Sequence, residues 1–173
     1  HPAINAAIKR QLDRVAHASF LGTTNAPAVE LARSLASFFE GSDLSRVFFS
    51  DDGSTAVEAA MKMALQCRHI EGAKDCSGFV TFRNAYHGDT LGAASLGGIG
   101  DFKNAGYALG LPVHRVASPA ELDTVPGFRS GKIAAVVIEP LVQGAAGIRL
   151  WPSGLLAELR QKCDKAGVFP VSY

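Results

Sequence analysis

Three short polar clusters carry the residue types that could do chemistry: Ser50-Asp51-Asp52-Gly53-Ser54-Thr55, Tyr86-His87-Gly88-Asp89-Thr90, and Glu139 followed by the glycine-containing run Leu141 to Gly147. The first follows the apolar Val47-Phe48-Phe49 and precedes Ala56 to Gln66, so it reads as a strand, a tight turn at Gly53 and the first turn of a helix. A helix start leaves amide N–H groups unpaired, presents the positive end of the helix dipole, and with a glycine lets an anion approach the backbone closely. Ser54 and Thr55 add hydroxyl donors. The group suits a phosphate, and it suits an ordinary N-cap and turn equally well. Tyr86 offers a ring face, His87 an imidazole and Glu139 a carboxylate. Taken singly, these are a half-buried structural ring, a hydrogen bond in a turn and an exposed strand end. Together the clusters supply an anion cup, a stacking surface and titratable groups beside it. Those are the parts that hold a flat, phosphorylated heteroaromatic ring, and pyridoxal phosphate is the natural candidate.

Such clusters need a scaffold that brings them to one edge. Ile4, Ile8, Leu12 and Val15 recur at helical spacing, which predicts an amphipathic helix from Pro2 to about His17, with Pro2 in the first turn where its missing N–H costs nothing. Val29, Leu31, Leu35 and Phe38-Phe39 predict a second helix ending at Gly41, and a third starts at the first polar cluster. On that helix Glu58 and Lys62 read as an exposed ion pair one turn apart. Phe79 to Phe82 is a short apolar strand, and Leu91 to Leu96 a short helix running into Gly97-Gly98-Ile99-Gly100. Residues 101–130 read as irregular, with Pro112, Pro119 and Pro126 breaking any long element and Pro119 to Leu122 able to open a short helix. Ile133 to Ile138 is apolar on both faces, as a central strand of a parallel sheet must be. Pro152 to Ala166 forms a helix closed by Gly167, and Val168 onward starts another strand. Helices alternating with short apolar strands predict a three-layer α/β/α arrangement around a mostly parallel sheet, over residues 1–173 as a single partial domain. Ligands of such sheets lie beyond the carboxyl ends of the strands, and each cluster follows one of them.

The bulk composition narrows the partners. A content of 47% hydrophobic and 19% charged residues is that of a soluble globular protein, and a net charge of +1 offers no electrostatic reason to bind nucleic acid or an anionic membrane. No apolar run approaches the ~20 residues of a membrane span, and His1-Pro2-Ala3-Ile4-Asn5 lacks the pattern of a signal peptide, so a cytoplasmic location is expected. Three cysteines, Cys67, Cys76 and Cys163, match no metal-binding spacing and read as free thiols. A serine hydrolase built from Ser54, His87 and Asp89 lacks the Gly-x-Ser-x-Gly elbow, and no Gly-Lys-Ser/Thr follows a glycine loop as nucleotide-phosphate binding would require.

Val47 to Glu58, Ala85-Tyr86-His87-Gly88-Asp89-Thr90 and Ile138-Glu139-Pro140-Leu141-Val142-Gln143-Gly144 closely resemble the class III pyridoxal-phosphate aminotransferases, and the likeness extends over essentially the whole chain. The resemblance implies part of the large domain of the fold-type I transferase fold. It implies that Gly53 and Ser54 hold the cofactor phosphate, that Tyr86 stacks on the pyridine ring and borders the substrate, that His87 sits beside that ring, and that Glu139 lies close to the pocket. Ala145 stands where ornithine- and aminobutyrate-type relatives carry an acidic residue, and one more residue precedes Gln143. That wording resembles the biotin-synthesis branch. It implies a small-molecule amine donor, S-adenosylmethionine, a keto acceptor, 8-amino-7-oxononanoate, and a homodimer of the full-length protein.

Two family features have no counterpart in these residues: the Asp that bonds the pyridine nitrogen, and the lysine that holds the cofactor covalently. Pro170-Val171-Ser172-Tyr173 stands where the strand would run toward that Asp, and Pro170 would remove a ladder hydrogen bond from a central strand. Lys9, Lys62, Lys74, Lys103, Lys132, Lys162 and Lys165 match no family position for the covalent lysine. The reading is an internal segment of an aminotransferase, or a truncated, noncatalytic paralogue that binds phosphorylated ligands or packs against complete subunits.

Overall fold

The computed structural model describes residues 1–99 and 110–173. Gly100, Lys103 and the first part of the stretch read as irregular lie outside the described residues. The chain divides into two compact units, His1–Phe49 and Ser50–Tyr173.

The first unit holds helices α1 (Pro2–Leu12) and α2 (Ala26–Ser37). Each ends earlier than its apolar spacing predicts. Asn25 starts α2, its side chain accepting the Ala28 N–H at 3.0 Å, so the helix begins before Val29. Neither helix fully buries a residue, and Ile4, Ile8, Leu12 and Leu31 on their apolar faces are exposed. Phe20 and Phe49 stack at 5.8 Å. Val47-Phe48-Phe49, expected as the opening strand, has no strand structure. A strand exists only through a ladder partner, and among the described residues this run has none.

The second unit is built on a four-stranded sheet of order β2-β1-β3-β6, every neighbouring pair parallel. Its strands are β1 (Gly78–Phe82), β2 (Val113–Val116), β3 (Ile133–Ile138) and β6 (Phe169–Ser172). Helix α3 (Gly53–Ile70) precedes β1, the short α4 (Leu91–Leu96) connects β1 to β2, and α5 (Leu155–Ala166) connects β3 to β6. Strand β2 lies inside the run read as irregular. It has only four residues and one ladder neighbour among the described residues, too brief for an alternating pattern to stand out from its prolines. The loop after Glu139 closes with a two-stranded antiparallel pair, β4 (Val142–Gln143) and β5 (Arg149–Leu150). Helix α5 begins at Leu155 rather than Pro152 because Gly154, at φ 85°, turns the chain left-handed just before it.

Alternation along the buried strands separates two cores. Phe79 of β1 with Ala135 and Val137 of β3 packs against Val57, Met61 and Ala64 of α3 and Ala93 and Leu96 of α4. Val80 and Phe82 with Val136 and Ile138 face the other way, onto Leu155, Leu159 and Cys163 of α5 and onto Leu122, Val125 and Phe128 around a 3₁₀ turn at Pro119–Thr124. The layers are thus helix, sheet, helix, as expected. The register between β1 and β3 slips at Gly78/Phe79, where Ile133 and Ala135 are successive partners and Ala134 is bulged out of the ladder. All six residues of β3 are buried, which makes it the central strand its composition required. Strand β6 has β3 as its one ladder neighbour among the described residues, and Pro170 lies opposite Val136 in that pair.

Phe82 ends β1, is fully buried and meets Trp151 edge-on at 5.2 Å. Phe82→Ala removes that contact and leaves a cavity, and is expected to lower unfolding free energy by about 3–5 kcal/mol, read from the midpoint shift of a urea titration.

Candidate functional site

The carboxyl ends of β1 and β3 are adjacent, and the start of α3 is tied to them through the loop that follows β1. Asp52 caps α3: its side chain accepts the Thr55 N–H at 2.8 Å, while Thr55 Oγ1 accepts the Asp52 N–H at 3.0 Å. This capping box satisfies the third amide and bends the chain sharply into the helix. The amides of Gly53 and Ser54 make no hydrogen bond with the described residues, and a side chain at Gly53 would point into open space. Ser54 Oγ accepts the Asp89 N–H at 3.2 Å, so its own proton is available to a second partner. Two open amides, one hydroxyl proton and the helix dipole form a donor set for an anion.

The loop from Arg83 to Thr90 hangs from strand ends on three sides. Glu139, the residue after β3, accepts the Tyr86 N–H through one carboxylate oxygen at 3.1 Å and the Gly144 N–H through the other at 2.9 Å. Its backbone carbonyl accepts the Trp151 indole N–H at 2.9 Å, and buried Gln143 donates from Nε2 to the Arg83 carbonyl at 2.8 Å. Glu139 is therefore a half-buried tie between two loops, not an exposed strand end. Asn84 and Leu141, one after each strand, both adopt left-handed backbone at φ 64° and 65°. That conformation is costly for leucine, and these paired ties hold it in place.

Tyr86 is half-buried and its hydroxyl donates to Asp89 at 2.8 Å, a bond that with burial and the Asp89 charge raises its pKa. His87 points the opposite way. It is buried, with Nε2 against Thr81 Oγ1 at 2.5 Å and Nδ1 against the Tyr173 hydroxyl at 2.9 Å. Tyr173 has one proton, which it gives to the Tyr86 carbonyl. Nδ1 must then carry the imidazole hydrogen and Nε2 must accept from Thr81. The neutral tautomer follows from the bonding, and the environment enforces it: burial first, then the Arg115 guanidinium, hold His87 down at about 4. Burial, reinforced by Glu139 and Tyr86, raises the Tyr173 phenol well above its ordinary range.

Of the residues singled out by sequence, Ser54, Tyr86 and Glu139 are linked by hydrogen bonds along one edge of the second unit, with Gly53 open beside Ser54. His87 lies behind them in the interior rather than on the open side. Glu58 departs from the expected exposed pair with Lys62: it accepts the Gly92 N–H at 2.7 Å and the Ala93 N–H at 3.2 Å at the start of α4. Arg115 donates to the Ser95 and Gly97 carbonyls at the other end. Both partners are distant in sequence, so local spacing could not find them. Nothing local to Gln143 or Tyr173 signals the bonds they make to Arg83 and His87. Among the described residues there is no cluster of His, Cys, Asp and Glu able to hold a metal ion, and no helix long and apolar enough to cross a membrane.

Residues 1–172 match the family of class-III aminotransferases. The chain is 44% identical over 193 aligned residues to adenosylmethionine-8-amino-7-oxononanoate aminotransferase of Nitratidesulfovibrio vulgaris, covering 99% of this chain and 35% of that relative. The enzyme of the same name from Methanocaldococcus jannaschii superimposes with a TM-score of 0.90 at 31% identity, over 98% of this chain and 40% of that one. An amine transaminase from an uncultivated Pseudomonas species, solved in its PLP-bound form, gives 0.89 at 31% identity, over 99% and 44%. The chain thus spans well under half the length of these relatives.

The depressed His87 pKa has a consequence for stability. Between pH 6.5 and about 4 the unfolded chain binds a proton that the folded chain refuses, so stability falls as pH is lowered through that window and is level above it. The loss is on the order of 3 kcal/mol. Chemical denaturation from pH 7 to pH 4 should show this slope in the parent and a flatter one in His87→Gln.

Proposed function

The chain belongs to the class-III aminotransferases, and on that premise we propose that it forms the cofactor-phosphate side of a pyridoxal-phosphate-dependent transaminase of biotin synthesis. The observation that carries the reading is the donor set at the start of α3: two open amides and the Ser54 hydroxyl proton, beside the half-buried Tyr86 ring. These residues fit a phosphorylated aromatic ring. When bound, pyridoxal phosphate supplies an electron sink for the amino-transfer chemistry.

What the chain's own residues do is bind and orient. The amides of Gly53 and Ser54 and the Ser54 hydroxyl hold the phosphate. Tyr86 covers one face of the ring and borders the substrate, kept in place by its hydroxyl bond to Asp89 and by Glu139 on its backbone N–H. His87 supports the same loop from inside as a neutral imidazole, relaying Thr81 and Tyr173 onto the Tyr86 carbonyl. Glu139 closes the pocket floor by tying the Tyr86 loop to Gly144. The donor and acceptor are S-adenosylmethionine and 8-amino-7-oxononanoate, after the names of the relatives, in a cytoplasmic homodimer of the longer protein to which residues 1–173 contribute part of one domain.

A second reading concerns this chain by itself: it binds the cofactor and does not turn over. Lys132 precedes β3, at the strand ends opposite the site, Lys62 lies on α3 beyond its first turns, and Lys162 is paired with Asp123 on α5. Titration of pyridoxal phosphate followed by borohydride reduction and mass analysis tests both readings. Saturable binding that Ser54→Ala weakens by about 10-fold or more is expected, in line with losing a hydrogen bond to a charged group. No pyridoxyl-lysine and no turnover should accompany it. Unchanged affinity in Ser54→Ala refutes the phosphate cup, and one specific pyridoxyl-lysine refutes the binding-only reading.

A further inference from the structure

We propose that Glu58 is a positioning residue for the ligand loop: its carboxylate holds the first turn of α4 and so fixes Tyr86 to Asp89 beside the anion cup. This rests on the cup assignment above. Ser54 and Glu58 are one turn apart on α3 and share a face. Along that face lies the chain from Gly88 to Ala93, tied at both ends: the Asp89 N–H to Ser54 Oγ, and the Gly92 and Ala93 N–H groups to Glu58 Oε1. The spacings match. Gly88 sits against Ser54 and Gly92 against Glu58, and both glycines are buried. A methyl group at Gly88 would overlap Ser54, and one at Gly92 would overlap the Glu58 carboxylate. The two glycines let backbone and helix approach closely enough for the bonds to form.

Helix α4 depends on this contact because it has no cap of its own. Thr90, at its N-cap, makes no side-chain bond to the helix, and its hydroxyl is buried without a partner among the described residues. Glu58 supplies from α3 the acceptor that Thr90 does not. Arg115 performs the converse task at the carboxyl end, its guanidinium on the Ser95 and Gly97 carbonyls. Anion at the amino end and cation at the carboxyl end both complement the helix dipole. A helix of six residues, too short to persist unaided, becomes a strut between α3 and β2. The ligand loop is continuous with its first residue. Glu58 touches neither end of the proposed cup; it acts through α4.

Three variants of the full chain test this: Glu58→Ala, Glu58→Gln and Gly92→Ala. Amide hydrogen exchange over residues 88–93 and the dissociation constant for pyridoxal phosphate are measured for each, with circular dichroism reporting folding. Glu58→Ala should speed exchange of the Gly92 and Ala93 amides by about tenfold or more and weaken cofactor binding by about tenfold. Glu58→Gln keeps an oxygen that can accept both N–H groups and should stay within about twofold of the parent. Gly92→Ala improves intrinsic helix propensity, yet should behave like Glu58→Ala because it displaces the carboxylate; it carries the test if Glu58→Ala does not fold. Unchanged exchange in Glu58→Ala, or faster exchange with parental affinity, overturns the proposal while leaving the cup intact. A parent chain that does not bind pyridoxal phosphate overturns the cup assignment and this proposal with it.

Discussion

Strand β3 has no polar side to turn toward water, and the Glu139 carboxylate stands immediately after it. The six apolar residues force the strand into the middle of the sheet with helices over both faces, and the first group able to meet solvent is that carboxylate. Its two oxygens go to two different loops, one after β1 and one before β5, so the end of the longest fully buried strand becomes the anchor for both. The left-handed Asn84 and Leu141 lie within three residues of these bonds. Without the ties, such backbone would relax. A bidentate carboxylate at a rigid strand end is therefore the interaction on which the geometry of the open edge depends.

From that anchor the structure turns adjacent side chains of a single short loop to opposite sides. Tyr86 turns outward to Asp89, and the next residue, His87, inward to Thr81 and Tyr173. The inward side is a closed run of hydrogen bonds in which every proton has one place to go: Thr81 to His87, His87 to Tyr173, Tyr173 to the Tyr86 carbonyl. A charged imidazole would need a second acceptor there, and the Arg115 guanidinium that acts on it has the wrong sign. The neutral network supports the outer ring through its own backbone carbonyl. Two adjacent side chains, one bonded to Asp89 on the open side and one to the interior, stand on a single peptide unit.

Much of this was legible from residues alone. The alternation of apolar strands and helices predicts the three layers, Ile133 to Ile138 predicts its own centrality, and Leu91 to Leu96 is helical as its spacing says. Other readings failed for definite reasons. Val47 to Phe49 has strand composition, but composition cannot supply a ladder partner. Val113 to Val116 is a strand because Phe79 to Phe82 lies alongside it, and nothing within four residues says so. Glu58 followed by Lys62 is a standard surface pair until the Gly92 and Ala93 amides arrive from another part of the chain.

The sequence by itself determined what depends on neighbours a few residues apart: the turn and helix start at Gly53 and Ser54, and the two-faced burial of β3. It also carried, in whole motifs, the resemblance to the class-III aminotransferases that the family match bears out. Only the tertiary structure decided which face each polar group serves. Tyr86 faces out and His87 in, Glu139 ties loops, and Glu58 caps a helix on another segment, because each role is set by a partner 34 to 86 residues away. Hydrogen bonds act over about 3 Å, and which groups come within that distance is a property of the folded chain.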